Sequence, residues 1–255
     1  MSDNIILEAR DLSKRFGGLC AVDGVSLQVR AGAFHSVIGP NGAGKTTLFN
    51  LLSGVYKPTA GRIVFKGKEI TALPVHRRSR LGIGRSFQIT NVFPNLTVLE
   101  NVRIAAQARG HDSFRFLRDY RAFRRYTERA AAILELVGLS DKAVLPAVSL
   151  PHGDKRKLEI GILLATEPEV LLLDEPTAGI SREEVPAIME VIGRIKAAGG
   201  KTIMLVEHKM EIVMNASDRI TVMQHGKVIA EGAPVEIAAN PTVQQAYLGG
   251  GALAA

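Results

Sequence analysis

The stretch Gly39-Pro40-Asn41-Gly42-Ala43-Gly44-Lys45-Thr46-Thr47 decides the fold, because it fills the pattern G-x-x-x-x-G-K-[ST] without a substitution. Residues 34–38 precede it and residues 48–52 follow it as largely apolar runs, which predict a strand before this loop and a helix after it. Glycines let successive backbone N–H groups converge on a phosphate, and the helix N-terminus adds partial positive charge. Lys45 supplies a cation for the terminal phosphates, and Thr46 supplies a hydroxyl for Mg²⁺. A glycine-rich turn that binds nothing would need neither side chain.

A second motif is Glu169-Val170-Leu171-Leu172-Leu173-Asp174-Glu175-Pro176. Its four consecutive apolar residues predict a buried parallel strand. Two acidic residues follow at the carboxyl end of that strand, which is where ligands bind in open α/β sheets. Asp174 is placed to hold Mg²⁺ through its waters, and Glu175 to act as the base that polarises a water towards the γ-phosphate.

Three further residues are weaker candidates. His208 follows a predicted core strand, residues 201–206, and could contact the γ-phosphate or position Glu175. Gln88 ends a short strand before a loop rich in Pro and Asn, so its amide oxygen could reach a metal or an attacking water, although an exposed loop glutamine is the commoner finding. Phe16 precedes a glycine turn and could stack on a purine, or it could be an ordinary core residue.

The other predicted strands alternate apolar and polar residues. Residues 5–10, 25–30 and 63–65 predict a small antiparallel sheet beside the nucleotide. Residues 219–223 and 228–231 flank a glycine turn and predict a hairpin.

Helical periodicity runs from Val98 to about Gly138, with Thr97 as N-cap and Glu100 three residues on as a capping box. A loop at residues 148–153 opens into a helix that ends near Ala165, and a last helix is predicted from about 234 to 248.

Composition sets limits on the class of protein. The chain has 255 residues, 46% of them hydrophobic, which is enough for a packed core. Its one cysteine, Cys20, excludes an internal disulfide and a site with several Cys ligands, and favours a reducing compartment. We expect no signal peptide, and no stretch is long and apolar enough to cross a bilayer, so any work at a membrane would need a partner.

The net charge is +7, from 32 Lys+Arg against 25 Asp+Glu, with the excess concentrated in His111 to Arg129. This basic and aromatic segment could bind nucleic acid, dock on a membrane protein near headgroups, or form an amphipathic helix with a basic solvent face.

Taken together, these motifs resemble the ATP-binding subunit of ABC transporters over essentially the whole chain. The resemblance implies one α/β ABC ATPase domain over 1–255: a P-loop NTPase core, a flanking antiparallel β-subdomain and a helical subdomain. Residues 1–88 would hold the antiparallel sheet and the P-loop part of the core, 89–165 the helical subdomain, and 166–255 the rest of the core with the C-terminal helix. It also implies ATP and Mg²⁺ as cofactors, and ATP hydrolysis coupled to transport.

Individual roles follow from the same resemblance. Phe16 would stack on adenine, and residues 39–47 would bind the phosphates. Thr46, Gln88 and Asp174 would hold the metal ion. Catalysis would be carried by Glu175, His208 and Gln88.

Three features are most similar to the larger ATPase subunit of branched-chain amino-acid uptake systems: Gly84-Arg85-Ser86-Phe87-Gln88, the basic insert, and the ending Gln245-Ala246-Tyr247-Leu248-Gly249. Urea and amide importers are near neighbours. The implied partners are a second ABC ATPase subunit, membrane permease subunits and, indirectly, a solute-binding protein, with no nucleic acid. The implied location is the cytoplasmic face of the inner membrane. Two alternatives are an ABC ATPase associated with nucleic acid or ribosomes, and an ATP-binding scaffold without turnover.

The signature segment departs from the family pattern. It reads Leu150-Pro151-His152-Gly153-Asp154, and Pro151 has neither the hydroxyl nor the N–H of the usual serine. Leu150, Gly153 and the helix N-terminus remain available for nucleotide, while Asp154 brings a negative charge close to where phosphate would lie. The loop Ala178-Gly179-Ile180-Ser181 also lacks the usual Asn or Asp. We therefore predict a heterodimer in which this chain provides a full P-loop half and a weakened signature half.

Overall fold

A computed structural model of the chain describes residues 4–86, 92–110 and 124–248. Its strands are β1 (Ile5–Phe16), β2 (Leu19–Arg30), β3 (Phe34–Ile38), β4 (Ala60–Phe65), β5 (Lys68–Glu69), β6 (Ile83–Arg85), β7 (Val170–Asp174), β8 (Thr202–Val206), β9 (Arg219–Gln224) and β10 (Lys227–Gly232). Its helices are α1 (Lys45–Ser53), α2 (Val75–Leu81), α3 (Val98–Ala108), α4 (Arg124–Val137), α5 (His152–Ala165), α6 (Val185–Ala197), α7 (Met210–Ala216), α8 (Pro234–Ala238) and α9 (Pro241–Leu248).

Four strands form the predicted antiparallel sheet, in the order β2-β1-β4-β5. β1 and β2 are longer than predicted, because they pair as far as Phe16 opposite Leu19. Gly17 lies in the turn between them at φ 58°, a conformation that glycine adopts without strain. The alternation predicted for β1 holds from Leu7 to Arg10, where Leu7 and Ala9 are buried and Glu8 and Arg10 are not, but Ile6 is buried next to Leu7.

The core is a six-stranded sheet in the order β10-β9-β3-β8-β7-β6. β3 pairs in parallel with β8 and β9, and β7 with β6 and β8, while β10 closes the predicted hairpin with β9. Every residue of β3, β7 and β8 is buried, as in a sheet covered on both faces. The carboxyl ends of these three adjacent strands therefore meet at one edge, and the loops that follow them lie together.

The helical segment predicted from 98 to 138 contains α3 and α4; residues 111–123 lie outside the described residues. The N-cap prediction is confirmed, because Thr97 Oγ1 accepts a hydrogen bond from Glu100 N at 3.1 Å. The second half of the capping box is wrong, since Glu100 accepts instead from Arg103 Nε at 2.8 Å. α5 packs on α3 and α4 at Gly161, where an added Cβ would be in ordinary van der Waals contact with Ile133 of α4 and Val102 of α3, at 3.5 and 3.7 Å.

The single helix predicted from 234 to 248 is wrong, because α8 ends at Ala238 and α9 begins at Pro241. Proline has no N–H to donate inside a helix, whereas it is well placed in a first turn. Asn240 Oδ1 accepts from Thr242 N at 2.9 Å and so caps the new helix. Among the helices of the described residues, none combines the length and the apolar character needed to span a membrane.

Candidate functional site

The motifs predicted from sequence meet around one cavity of about 490 Å³ at the carboxyl edge of the core sheet. Its lining comes from the P-loop, the start of α1, the start of β2 and the segments that follow β7, β8 and β9. The lining residues are Leu19, Cys20, Ala21, Asn41, Gly42, Ala43, Gly44, Lys45, Thr46, Thr47, Glu175, His208 and His225.

Two glycines of the P-loop are packed against the main chain of other segments. Gly39 has φ 152°, and a Cβ there would lie 2.1 Å from Met223 O. Gly44 caps α1 at φ 99°, and a Cβ there would lie 2.3 Å from Ala21 O. Glycine is therefore required at both positions by conformation and by space.

Main-chain hydrogen bonds also join the P-loop to the antiparallel sheet. Gly226 N donates to Ala43 O at 3.1 Å, and Gly226 O accepts from Asp23 N at 2.9 Å. The turn between β9 and β10 thus bridges the P-loop and β2. Because these contacts use only backbone atoms, they fix the shape of the loop without any particular side chain.

The Lys45 ammonium group lies inside the P-loop, where Nζ donates to Gly39 O at 2.7 Å and to Pro40 O at 3.0 Å. Burial lowers its pKa, and this effect is opposed by the carboxylates of Glu175 and Asp174. The ammonium group is therefore held within the loop that would surround a phosphate, with two carbonyl contacts that phosphate oxygens can replace.

Asp174 is almost fully buried at the end of β7, and this burial raises its pKa. Oδ2 accepts from Arg85 Nη2 at 3.0 Å. Within the described part of the chain, Oδ1 is buried and has no hydrogen-bond partner. A carboxylate oxygen left in this state can accept from a water of hydrated Mg²⁺, so the site fits that ion. Thr46, the other predicted metal ligand in the described part of the chain, is the second residue of α1 and lines the cavity, whereas Asp174 is not among the lining residues.

Two of the three predicted catalytic side chains, those of Glu175 and His208, are in contact. His208 Nε2 lies 2.7 Å from Glu175 Oε1, and both residues line the cavity that contains Lys45. Glu175 has φ 48°, a conformation that non-glycine residues rarely adopt. Its N–H donates to Val206 O at 2.9 Å, which ties the loop after β7 to the end of β8.

Phe16 and Gln88 have different outcomes. Phe16 is not among the residues that line the cavity. Its half-exposed ring packs edge-to-face on Tyr56, with 5.3 Å between the ring centroids. Lys14 Nζ lies 5.1 Å from the centroid of the Phe16 ring. Leu19, its partner across the hairpin, does line the cavity. Gln88 lies outside the described residues.

The predicted signature residues lie apart from this cavity, at the start of α5. Leu150 is buried, and Pro151 occupies the N-cap position without a side-chain hydrogen bond. The N–H of Gly153 donates to Glu184 Oε1 at 3.2 Å, and a Cβ on Gly153 would lie 2.5 Å from that oxygen. A carboxylate from this same chain therefore caps the helix that Pro151 leaves uncapped.

The charge of Asp154 is compensated within the fold. Its carboxylate accepts hydrogen bonds from Lys142 and, at 3.2 Å, from Lys157. Burial opposes its ionisation, but these two ammonium groups lower its pKa below the ordinary value. The predicted cost of a bare negative charge beside phosphate is therefore offset by two cations.

Two arginines at the site were missed from sequence. Arg85 pairs with Asp174, as described above, and α5 contributes Arg156, which donates to Pro176 O at 3.1 Å and to Glu175 O at 3.2 Å. Arg85 lies in a segment quoted above for its resemblance, but neither arginine was assigned a role at the site. Only the order of the strands and the packing of α5 bring them to the acidic residues.

Comparison with known proteins decides the family. A family model described as "ABC transporter" matches residues 22–178, which is more than half of the chain. The chain belongs to the ABC transporter ATP-binding family. A second model, described as "Branched-chain amino acid ATP-binding cassette transporter", matches residues 227–252 of this ABC ATPase. Family membership confirms the predicted α/β fold and indicates ATP binding and hydrolysis.

Individual relatives agree with that result. The chain is 44% identical to the high-affinity branched-chain amino acid transport ATP-binding protein LivG of Salmonella typhimurium, over 96% of this chain and 98% of LivG. It resembles a crystal structure of the ADP conformation of an ATP-binding cassette of an ABC transporter, with a TM-score of 0.83, 33% identity, and coverage of 96% and 99% of the two chains. A dimeric cassette in a post-hydrolysis state with ADP and Pi gives a TM-score of 0.76 and 25% identity, with coverage of 90% and 99%.

Proposed function

We propose that this ABC ATPase hydrolyses ATP to power an importer of branched-chain or related hydrophobic amino acids. The observation that carries the proposal is the contact of Glu175 with His208 in the cavity that also contains Lys45 and the P-loop. The solute class is supported by the family model for branched-chain amino acid cassettes and by the similarity to LivG, a branched-chain amino acid transport ATP-binding protein.

Each side chain has a defined task in this proposal. The P-loop amides and Lys45 bind the phosphates. With Nε2 protonated, His208 donates to Glu175 and holds its carboxylate towards the cavity, where the carboxylate accepts a proton from the attacking water. Asp174, Thr46 and Gln88 would hold Mg²⁺, which supplies positive charge for the phosphate oxygens when it is bound.

The proposed second ATPase subunit would bind its nucleotide against α5 of this chain. Leu150 and Gly153 lie apart from their own P-loop, which supports a role for them in a partner's site. Pro151 supplies neither hydroxyl nor N–H, and the N–H of Gly153 already contacts Glu184. These features support a heterodimer in which the signature half of this chain is the weaker one.

An exposed apolar surface supports docking on a permease, and hence a location at the cytoplasmic face of the membrane. Two segments of the helical part are joined by backbone hydrogen bonds, from Ala147 N to Leu96 O and from Val148 N to Pro94 O, both at 2.9 Å. Both segments carry large exposed apolar side chains: Phe93, Leu96, Val144, Leu145 and Val148. Clusters of this kind commonly mark protein interfaces.

The test of the ATPase assignment is Glu175→Gln, with Glu183→Gln as a control at an exposed glutamate after the same loop. We expect E175Q to bind Mg-ATP with wild-type affinity and to lose hydrolysis, because an amide cannot accept the proton from water. E183Q should behave as wild type. Unchanged turnover in E175Q would show that Glu175 is not the base.

The solute is tested in cells whose own copy of the gene carries E175Q. Uptake of labelled leucine, isoleucine and valine should fall to background, while uptake of urea should be unchanged. Loss of urea uptake with normal leucine uptake would assign the amide importer instead. Normal uptake of all four solutes would refute a role in their import.

A further inference from the structure

The loops that carry Glu175 and His208 are joined by a carboxylate that the proposed mechanism does not use. Glu207 follows β8 and is only 3% exposed, as is Thr177 in the loop after β7. Glu207 Oε1 accepts from Thr177 N at 3.1 Å and from Thr177 Oγ1 at 2.5 Å. Glu207 Oε2 accepts from His208 N at 3.1 Å.

This carboxylate is unusual for a buried acid. Among the described residues, no Lys or Arg forms an ion pair with Glu207, so its desolvation is offset only by hydrogen-bond donors. Two of the three donors are N–H groups of the loops that carry the catalytic pair, and the third is the Thr177 hydroxyl. An apolar residue would fill this position at lower cost if packing were its only role.

The contacts form a closed ring around the catalytic pair. Glu207 holds Thr177, two residues after Glu175, and it also holds the N–H of His208. The ring is closed by the 2.7 Å contact of His208 with Glu175. Glu175 has a positive φ, and such a conformation persists only where its surroundings fix it.

We propose that Glu207 is a positioning residue for hydrolysis: through Thr177 and the His208 amide it aligns the Glu175–His208 pair before nucleotide binds. The proposal rests on the proposed function, because it concerns the same site. It adds that the alignment of Glu175 depends on a hydroxyl and a carboxylate that do not touch nucleotide.

The test compares Thr177→Val and Glu207→Gln with two matched variants. Thr177→Ser keeps both donors to Glu207. Thr202→Val removes another buried hydroxyl, at the opposite end of β8, where Thr202 Oγ1 accepts from Gly32 N at 2.9 Å. T202V therefore reports the effect of losing a buried hydrogen bond away from the site.

We expect T177V and E207Q to lower kcat by roughly 10- to 100-fold, since small misplacements of catalytic groups have effects of this size. KM for ATP should change by less than about threefold, because neither variant touches Lys45 or the P-loop. T177S should restore kcat to near the wild-type value. T202V should lower the melting temperature to a similar extent as T177V and leave kcat unchanged.

A second readout does not depend on turnover. The ring resonances of His208 in NMR spectra of the chain without nucleotide should shift in T177V and E207Q, and stay in place in T177S and T202V. Unshifted resonances in T177V and E207Q, or kcat losses that T202V reproduces, would overturn the positioning role. Absence of hydrolysis by wild type would refute the proposed function, and the His208 resonances would still decide whether the alignment exists.

Discussion

Acid should destabilise this protein through one buried histidine. His35 lies on β3, directly upstream of the P-loop, and is 1% exposed, with Nε2 2.7 Å from Thr221 Oγ1. Burial lowers its pKa from 6.5 to about 4. The folded chain therefore keeps this ring neutral at pH values where the unfolded chain already binds a proton. The contribution of His35 to stability is complete above pH 6.5 and is lost as the pH falls through about 4.

The magnitude follows from these two values. A difference of one pKa unit between the folded and unfolded states corresponds to about 1.36 kcal/mol. The difference for His35 therefore lowers the free energy of unfolding by about 3 kcal/mol once both states are protonated. About 2 kcal/mol of this is already lost at pH 5. A loss of this size is a large fraction of the stability of a typical domain.

The assay is urea unfolding of wild type and His35→Gln, followed by circular dichroism from pH 7.5 to pH 5. Glutamine does not titrate, and its amide can still donate to Thr221 Oγ1. The difference in the free energy of unfolding between wild type and H35Q should fall by about 2 kcal/mol over this range. The other titrating groups are present in both proteins, so their contributions cancel in this difference. His76→Gln, at an exposed histidine of α2, is the control and should keep the pH dependence of wild type. A difference between wild type and H35Q that stays constant with pH would refute the reasoning.

Three further predictions concern the P-loop and its surroundings. Arg78 is buried and donates four hydrogen bonds to backbone carbonyls, two of them near the end of α1. Arg78→Met should therefore lower the free energy of unfolding by about 3–5 kcal/mol. A loss below about 1 kcal/mol in urea unfolding would contradict this. Gly44→Ala should weaken binding of a fluorescent ATP analogue at least tenfold, because the new Cβ would push the P-loop away from Ala21 O. Gly18→Ala, where an added Cβ meets no atom within 4 Å, is the control and should bind as wild type. Equal affinities of the two variants would show that the contact between Gly44 and Ala21 is unimportant. Cys20 lines the cavity, so Mg-ATP should slow its alkylation by iodoacetamide several-fold, and an unchanged rate would place the nucleotide elsewhere.

Local motifs predicted which residues lie together at the cavity where one segment contains both the functional side chain and the strand or turn that positions it. The P-loop and the acids after β7 are of this kind, because the strand, the turn and the functional side chain are consecutive. The contact of His208 with Glu175 was also within reach, since both residues follow adjacent buried strands.

Contacts between distant segments could not be predicted in this way. Arg85 reaches Asp174 because β6 lies beside β7 in the sheet, and nothing in either segment specifies that order. Tyr56 packs on Phe16 across 40 residues for a similar reason. The break between α8 and α9 is different, because Pro241 in the sequence is itself a signal that one helix ends and another begins there.

The P-loop is held in place by main-chain contacts, and this limits which neighbouring side chains must be kept. The N–H of Gly226 donates to Ala43 O of that loop, and the main chain of Ala21 and Met223 approaches Gly44 and Gly39 closely. A substitution at Ala21, which lines the cavity, would therefore alter the cavity wall while leaving these main-chain contacts in place. The side chain at this wall can therefore vary without loss of the main-chain hydrogen bonds that hold the P-loop in shape.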